Sequence, residues 1–238
     1  MRLVNFRSDQ QTSVGVLVEG RIVDLGRHMP EYASIRSLLE ADALVRALDT
    51  AAEVSASHRL DGVTLLPPVP NPSHLLCIFD EPGNKPVLID PKFLRGPDRT
   101  LPIPAGAVSP LAAGVALVVG PSSSRSASAR SVRIAGISLM IYLSPGALST
   151  GPWLVTPDEL EGLDELELTV TVGERSTSLA APACQAVFEQ LNAQYELKPG
   201  DLIGVLQYLP DMGVSTGEKV ELHSDDIGTL ENAVRSED

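Results

Sequence analysis

The sequence predicts an α+β protein dominated by a mixed or antiparallel β-sheet. Many short apolar runs are separated by Gly, Pro, Asp and Asn, which punctuate strands, whereas few segments have helical spacing. Many strands with few helices are typical of this class. At 238 residues the chain is long enough to bury a real core.

The first part of the chain predicts a small α/β unit. Strands are expected at 3–6, 14–18 and 21–25, the last two joined by a tight turn at Glu19 and Gly20. Ser34 can cap a helix that carries Ile35 and Leu38. A second helical stretch, at 43–56, repeats apolar residues at helical spacing.

A proline-rich segment then separates two parts of the molecule. Four prolines fall within 67–72, and such a segment cannot lie inside a helix or a central strand. It therefore predicts a stiff, extended connection. We expect a small N-terminal α/β domain at 1–66 and a β-rich domain at 67–238.

The second part continues with apolar runs and turns. Strands are expected at 75–79, 86–89, 115–119, 134–143, 166–172, 175–179, 202–206, 220–223 and 227–234. The run 115–119 is wholly apolar and β-branched at three of five positions, which predicts a strand buried on both faces. A polar loop leading into a short helix is expected at 122–130, and an amphipathic helix at 183–195. Thr156 and Glu159 fit a capping box.

Charge and composition exclude several classes of partner. The formal net charge of -13 repels phosphate backbones and anionic membranes, so neither nucleic acid nor a membrane is expected as a partner. No apolar run reaches the roughly 18 residues of a membrane span, and the N-terminus lacks a signal-peptide core, which favours a cytoplasmic protein. Cys77 and Cys184 are too few for a disulfide framework or a zinc site, and two reduced thiols are expected.

Several motifs, in their order and spacing, resemble the fumarylacetoacetate hydrolase family over nearly the whole chain. They lie at 15–18, 20–25, 65–73, 75–78, 151–160, 197–203 and 226–232. The resemblance implies a β-roll or sandwich built on a mixed sheet, with a small α/β domain before it. It also implies a small-molecule substrate and a homodimer.

Family members usually cleave or rearrange 1,3-dicarbonyl and 2-oxo acids with a carboxylate-bound divalent metal, commonly magnesium, which acts as a Lewis acid. The resemblance places Ala112 and Gly114 at its Glu-x-Glu pair and Tyr142 at its third carboxylate. The family's His-Glu pair does not follow Ile78, its lysine before Gly151 is missing, and its Thr-Gly-Thr-Pro loop falls at 205–208. We therefore expect no metal cofactor and no family hydrolysis.

The leading hypothesis is a metal-independent enzyme that cyclises, isomerises or decarboxylates a polyketide-like or 1,3-dicarbonyl compound, as in secondary metabolism. The Tyr142 phenol would donate a hydrogen bond to a carbonyl or enolate oxygen. Asp80 and Glu81 would act as acid or base. The expected substrate-binding residues are Phe79, Met140, Trp153, Gln207, Tyr208 and Met212.

These residues could have purely structural roles, and the chain could have another function. Tyr142 could simply fill the space left by the ion, and Asp80 and Glu81 could form a solvated turn. The chain could be a catalytically silent partner of an active relative, or a metal-dependent C–C bond hydrolase. An open cavity with apolar and hydrogen-bonding walls would favour an enzyme, and a cavity filled by side chains would favour the silent partner.

Overall fold

The computed structural model describes residues 1–121, 132–180 and 182–237, so the loop and helix expected at 122–130 lie outside the described residues. The strands are β1 Arg2–Ser8, β2 Gln11–Val18, β3 Arg21–Asp24, β4 His58–Arg59, β5 Thr64–Leu66, β6 Leu75–Phe79, β7 Val87–Leu88, β8 Leu94–Arg95, β9 Leu101–Ile103, β10 Val108–Gly120, β11 Arg133–Leu143, β12 Ala147–Val155, β13 Thr169–Val172, β14 Arg175–Ser178, β15 Leu202–Ser215, β16 Lys219–Ser224 and β17 Gly228–Ser236. The helices are α1 Ile35–Glu40, α2 Leu44–Glu53 and α3 Cys184–Gln194.

The larger sheet is mixed and has β10 near its centre. Its strand order is β4-β3-β2-β1-β12-β11-β10-β15-β6-β7, with β5 beside β1 and β8 beside β12. β10 is antiparallel to both neighbours, whereas β15 and β6 run parallel. β10 is buried at every position from Leu111 to Gly120, as its apolar sequence predicts. The mixed sheets and few helices confirm the predicted class.

The smaller sheet, in the order β14-β13-β16-β17-β9, covers one face of these central strands together with α3. Successive side chains of a strand point to opposite faces, so β10 contributes to two cores. Val115 and Leu117 pack in the core between the sheets. Ala112 and Ala116 pack in the core that includes α1. β10 therefore connects both layers of the protein.

The N-terminal predictions hold locally. Glu19 and Gly20 have positive φ angles of 49° and 73°, and the Ser34 side chain accepts a hydrogen bond from the Ser37 backbone amide. β1 pairs with β12, so the strands of 1–66 continue the larger sheet. The domain boundary at 66/67 remains a prediction. Among the described residues, no helix is long and apolar enough to cross a membrane.

Three local features differ from the sequence predictions. β12 contains Gly151 and Pro152 and lacks a strand-like pattern, yet β11 and β1 supply its hydrogen-bonding partners. β15 extends to Ser215 because β10 pairs with it on both sides of a bulge. The prediction of a capping box at Thr156 is wrong, because the Thr156 side chain makes no cap hydrogen bond. Its hydroxyl instead accepts from the N-terminal ammonium at 2.6 Å and donates to the Met1 carbonyl at 3.0 Å.

Candidate functional site

Two tyrosines flank Ala112 on the central strand. Tyr142 on β11 and Tyr208 on β15 are both direct cross-strand partners of Ala112. Directly opposed residues in an antiparallel sheet point to the same face. Two phenols therefore lie on either side of the position that the family resemblance gives to the first metal ligand.

Phe79 joins the two tyrosines to form a group that we call the aromatic cluster. Its ring lies 5.3 Å from that of Tyr142, edge to face, and 4.8 Å from that of Tyr208, stacked. Tyr142 is half-buried and Tyr208 is 37% exposed, so solvent reaches the cluster. Within the described residues neither hydroxyl has a protein hydrogen-bond partner, and both side chains are partly exposed, so each hydroxyl is open to solvent or a ligand.

The next row of the same face is closely packed. Gly114 is opposed by Met140 on β11 and by Leu206 on β15. Met140 is fully buried, so it supports the site from below and does not form an exposed wall. A Cβ atom at position 114 would collide with the carbonyl oxygen of Val205. A side chain at position 114, which the family resemblance assigns to a second metal ligand, would therefore require β15 to move.

Asp80 lies at the edge of the aromatic cluster, in a turn with a φ angle of 67°. Its amide donates to the Leu206 carbonyl at 2.7 Å, and its Oδ1 atom accepts from the Tyr208 amide at 2.9 Å. One carboxylate oxygen therefore holds the turn against β15. Within the part of the chain that the structure describes, Asp80 Oδ2 and the exposed carboxylate of Glu81 accept no hydrogen bond, so both can make other contacts.

The environment of Tyr208 disfavours its phenolate form. Burial raises the pKa of Tyr208 above its ordinary value, and the nearby Tyr142 phenol and Asp80 carboxylate raise it further. At neutral pH the group is therefore a hydrogen-bond donor and not a base.

We expect Tyr208 to ionise after an ordinary tyrosine when the pH is raised. Ultraviolet phenolate titrations of the wild type and Tyr208→Phe should differ by one group with a pKa above about 10. Asp80→Asn should lower that pKa, because it removes a negative charge but keeps an oxygen acceptor. Because the pKa of Tyr208 is higher in the folded than in the unfolded state, its contribution to the free energy of unfolding is complete below pH about 10. That contribution is lost as the pH rises through the folded-state pKa.

Gln207 lies on the opposite face of the sheet from Tyr208, because neighbouring residues alternate. Its Oε1 atom accepts from the Ala180 amide at 3.1 Å. It lines a cavity of about 230 Å³, to which Asp80 and Glu81 also contribute. The structure thus divides the predicted site into the aromatic cluster and this cavity.

Two other predicted residues lie away from the aromatic cluster. Met212 is buried in the core between the sheets. Trp153 lies beneath the Arg2 guanidinium, whose carbon is 6.0 Å from the ring centroid, and lines a different groove. The sequence analysis did not identify two residues of α3 as part of a site: Val187, which lines the cavity, and Gln190, which holds the adjoining turn. The only sequence signal was the helical spacing of apolar residues at 183–195, which predicts that this helix packs on the sheet.

The described residues do not fit a metal site of the family type. They contain no group of three or more His, Cys, Asp or Glu side chains that could hold a metal ion. The positions that the family resemblance assigns to metal ligands carry the methyl group of Ala112, no side chain at Gly114 and the phenol of Tyr142. Magnesium prefers several oxygen ligands that include carboxylates, and these side chains provide one phenol oxygen and no carboxylate.

The profile described as Fumarylacetoacetate (FAA) hydrolase C-terminal matches residues 93–235. This chain belongs to that family. No curated protein matches it.

Solved structures of similar fold have different activities in their names. The chain is similar to maleylpyruvate hydrolase from Sphingobium sp. SYK-6 in complex with manganese(II) and pyruvate, with a TM-score of 0.82, 19% identity and 100% of both chains covered. It is also similar to 2-hydroxyhepta-2,4-diene-1,7-dioate isomerase from Mycobacterium marinum, with a TM-score of 0.69, 22% identity and coverage of 100% and 99%. A third similar structure is 2-keto-3-deoxy-D-arabinonate dehydratase complexed with magnesium and 2,5-dioxopentanoate. Its TM-score is 0.71 at 14% identity, and the match covers 100% of this chain and 99% of that chain. These likenesses establish the fold.

Proposed function

We propose that this chain is a metal-independent enzyme on the fumarylacetoacetate hydrolase scaffold. Its substrate is a 1,3-dicarbonyl or polyketide-like small molecule, and its reaction is an isomerisation, cyclisation or decarboxylation without hydrolysis. The observation that supports this proposal is the pair of partly exposed tyrosines, Tyr142 and Tyr208, on the two strands that flank Ala112.

The aromatic cluster can stabilise an enolate through hydrogen bonds. When a carboxylate removes a proton from the carbon between two carbonyl groups, negative charge develops on a carbonyl oxygen. The phenols of Tyr142 and Tyr208 can donate to that oxygen, and their hydrogen bonds strengthen as the charge grows. Asp80 and Glu81 are the nearby carboxylates that could accept the proton and return it to another atom.

Two further observations are compatible with this proposal. Hydrolase, isomerase and dehydratase are all names of proteins that share this fold, so the scaffold supports several reactions of oxo compounds. The Tyr208 phenol, whose pKa is raised, is protonated at neutral pH like an ordinary tyrosine, so its hydroxyl can donate. We further propose a cytoplasmic homodimer with a small-molecule substrate, as the family resemblance and the sequence imply.

A metal-free tautomerisation assay tests this function. Enol-rich acetylacetone is diluted from an apolar solvent into buffer with EDTA, and the decay of enol absorbance is followed. The proposal predicts that the protein accelerates this decay, and that EDTA does not reduce the acceleration. A matched melting experiment should show no rise in Tm with excess magnesium or manganese, whereas a ligand at 100 times its Kd would add about 2.7 kcal/mol.

Metal-dependent hydrolysis would give the opposite result. EDTA would abolish activity, and manganese would raise the Tm by several degrees. That outcome would mean that other residues bind the metal and that the assignments of Ala112, Gly114 and Tyr142 are wrong.

The ring contacts support a second candidate, a catalytically silent partner. Phe79 touches both tyrosines, so the aromatic cluster fills part of the space above Ala112. A silent partner would leave the enol decay at its uncatalysed rate. It would also raise the Tm or the activity of an active family enzyme when the two are mixed. Size-exclusion chromatography of the mixture would show that the two proteins form a complex.

A further inference from the structure

The cavity behind the aromatic cluster has mostly apolar walls. The larger sheet contributes Ile78, Ala113 and Val205, and α3 contributes Val187. Leu168, Leu179 and Ala183 supply further apolar surface. The cavity has a volume of about 230 Å³, whereas about 150 Å³ is enough to hold benzene in a protein core. One six-membered ring with a short chain therefore fits.

Hydrogen bonds hold the walls of this cavity in place. The Gln190 side chain on α3 accepts from the Gly83 amide at 2.8 Å and donates to the Asn84 carbonyl at 3.1 Å, which fixes the turn after Asp80 against the helix. On the other side, Gln207 accepts from the Ala180 amide at 3.1 Å. The cavity is therefore formed before any ligand binds, which lowers the cost of binding.

The charged side chains among the described lining residues of the cavity are both acidic. Asp80 and Glu81 lie among its lining residues, and the described lining residues include no Lys, Arg or His. Asp164 accepts a hydrogen bond from the Gln185 amide at 3.2 Å at the start of α3, and it adds a third carboxylate nearby. A carboxylate ligand would be repelled here, and an ammonium group would be attracted.

We propose that this cavity binds small apolar compounds with an uncharged or cationic polar end, and that it excludes carboxylates. The ring or alkyl part lies against Ile78, Val187 and Val205. The polar end faces Asp80 and Glu81. The cavity lies mainly on the face of the sheet opposite the aromatic cluster, although Gly114 and Leu206 also line it and it shares Asp80 and Glu81 with the proposed catalytic site. Binding there does not require the phenols to be catalytic.

Three matched probes test the proposal: 2-phenylethylamine, 2-phenylethanol and phenylacetate. They share a ring and chain but differ in charge, and binding to the full chain is measured by ligand-observed NMR and calorimetry. We expect the amine to bind roughly two- to fivefold more tightly than the alcohol, which is typical of a partly exposed ion pair. Phenylacetate should bind at least about tenfold more weakly than the amine. Added salt should reduce the difference.

Two variants locate the binding. Ala183→Leu fills the cavity and should abolish binding of both amine and alcohol, while Glu81→Gln should reduce only the preference for the amine. Tyr142→Phe should change neither the binding of the probes nor the preference for the amine. Melting curves show that each variant is folded; if Ala183→Leu unfolds, Val187→Phe replaces it as the filling variant.

Equal or tighter binding of phenylacetate would overturn the proposal. So would no binding of any probe, or binding that persists unchanged in a folded cavity-filling variant. Loss of tautomerase activity in Tyr142→Phe with unchanged probe binding would separate the catalytic proposal from this one.

Discussion

Replacement of Tyr208 by Phe is expected to lower the metal-free tautomerisation rate by about 100-fold. Removing one preorganised donor to a developing oxyanion typically reduces the rate by this factor. The ring and its stacking on Phe79 at 4.8 Å are retained, so the variant removes only the hydroxyl. The loss should appear in kcat more than in KM, because the hydrogen bond strengthens in the transition state.

Tyr142→Phe should have a comparable effect, because Tyr142 flanks Ala112 from the other side. The double variant should lose less than the product of the two single effects if both phenols donate to one oxygen. Tyr195→Phe is the matched control. Tyr195 is 41% exposed at the end of α3, and its replacement should leave the rate unchanged.

An unchanged rate in both single variants would remove the catalytic role from the aromatic cluster. The tyrosines would then be packing residues, and the silent partner would become the better explanation. A loss confined to Tyr208→Phe would assign the donor to Tyr208 alone and leave Tyr142 as a residue that fills space.

Asp201→Ala is expected to destabilise the fold by about 3 kcal/mol, which lowers the Tm by roughly 10 °C. Asp201 is 1% exposed. Its Oδ1 accepts from the His74 amide at 2.9 Å, and its Oδ2 accepts from His74 Nδ1 at 2.9 Å and the Lys198 amide at 2.8 Å. The alanine variant leaves these donors without their acceptor.

Urea and thermal unfolding of Asp201→Ala measure this loss, with two comparison variants. His74→Ala removes only one side-chain donor, from a residue whose side chain is 42% exposed, so it should cost about 1 kcal/mol. Asp201→Asn keeps one oxygen acceptor and should fall between the two. A Tm of Asp201→Ala within a few degrees of the wild type would show that water replaces the carboxylate.

Residue patterns predicted the central strand and the local start of the chain well. Val115 and its apolar neighbours determine a strand buried on both faces, because no polar group there requires water. Glu19, Gly20 and Ser34 also determine their turn and cap locally, since each acts through its own backbone or an amide a few residues away. Long-range pairing, by contrast, produced β12 around Gly151 without any local signal.

The candidate site was only partly predictable for the same reason. The sequence by itself determined the negative charge of the chain and the resemblance by which we assign Ala112, Gly114 and Tyr142 to the family's carboxylate positions. Only the tertiary structure placed Tyr208 opposite Ala112 and turned Gln207 to the other face. Strand register depends on hydrogen bonds between segments distant in sequence, and a shift of one residue would exchange the two faces.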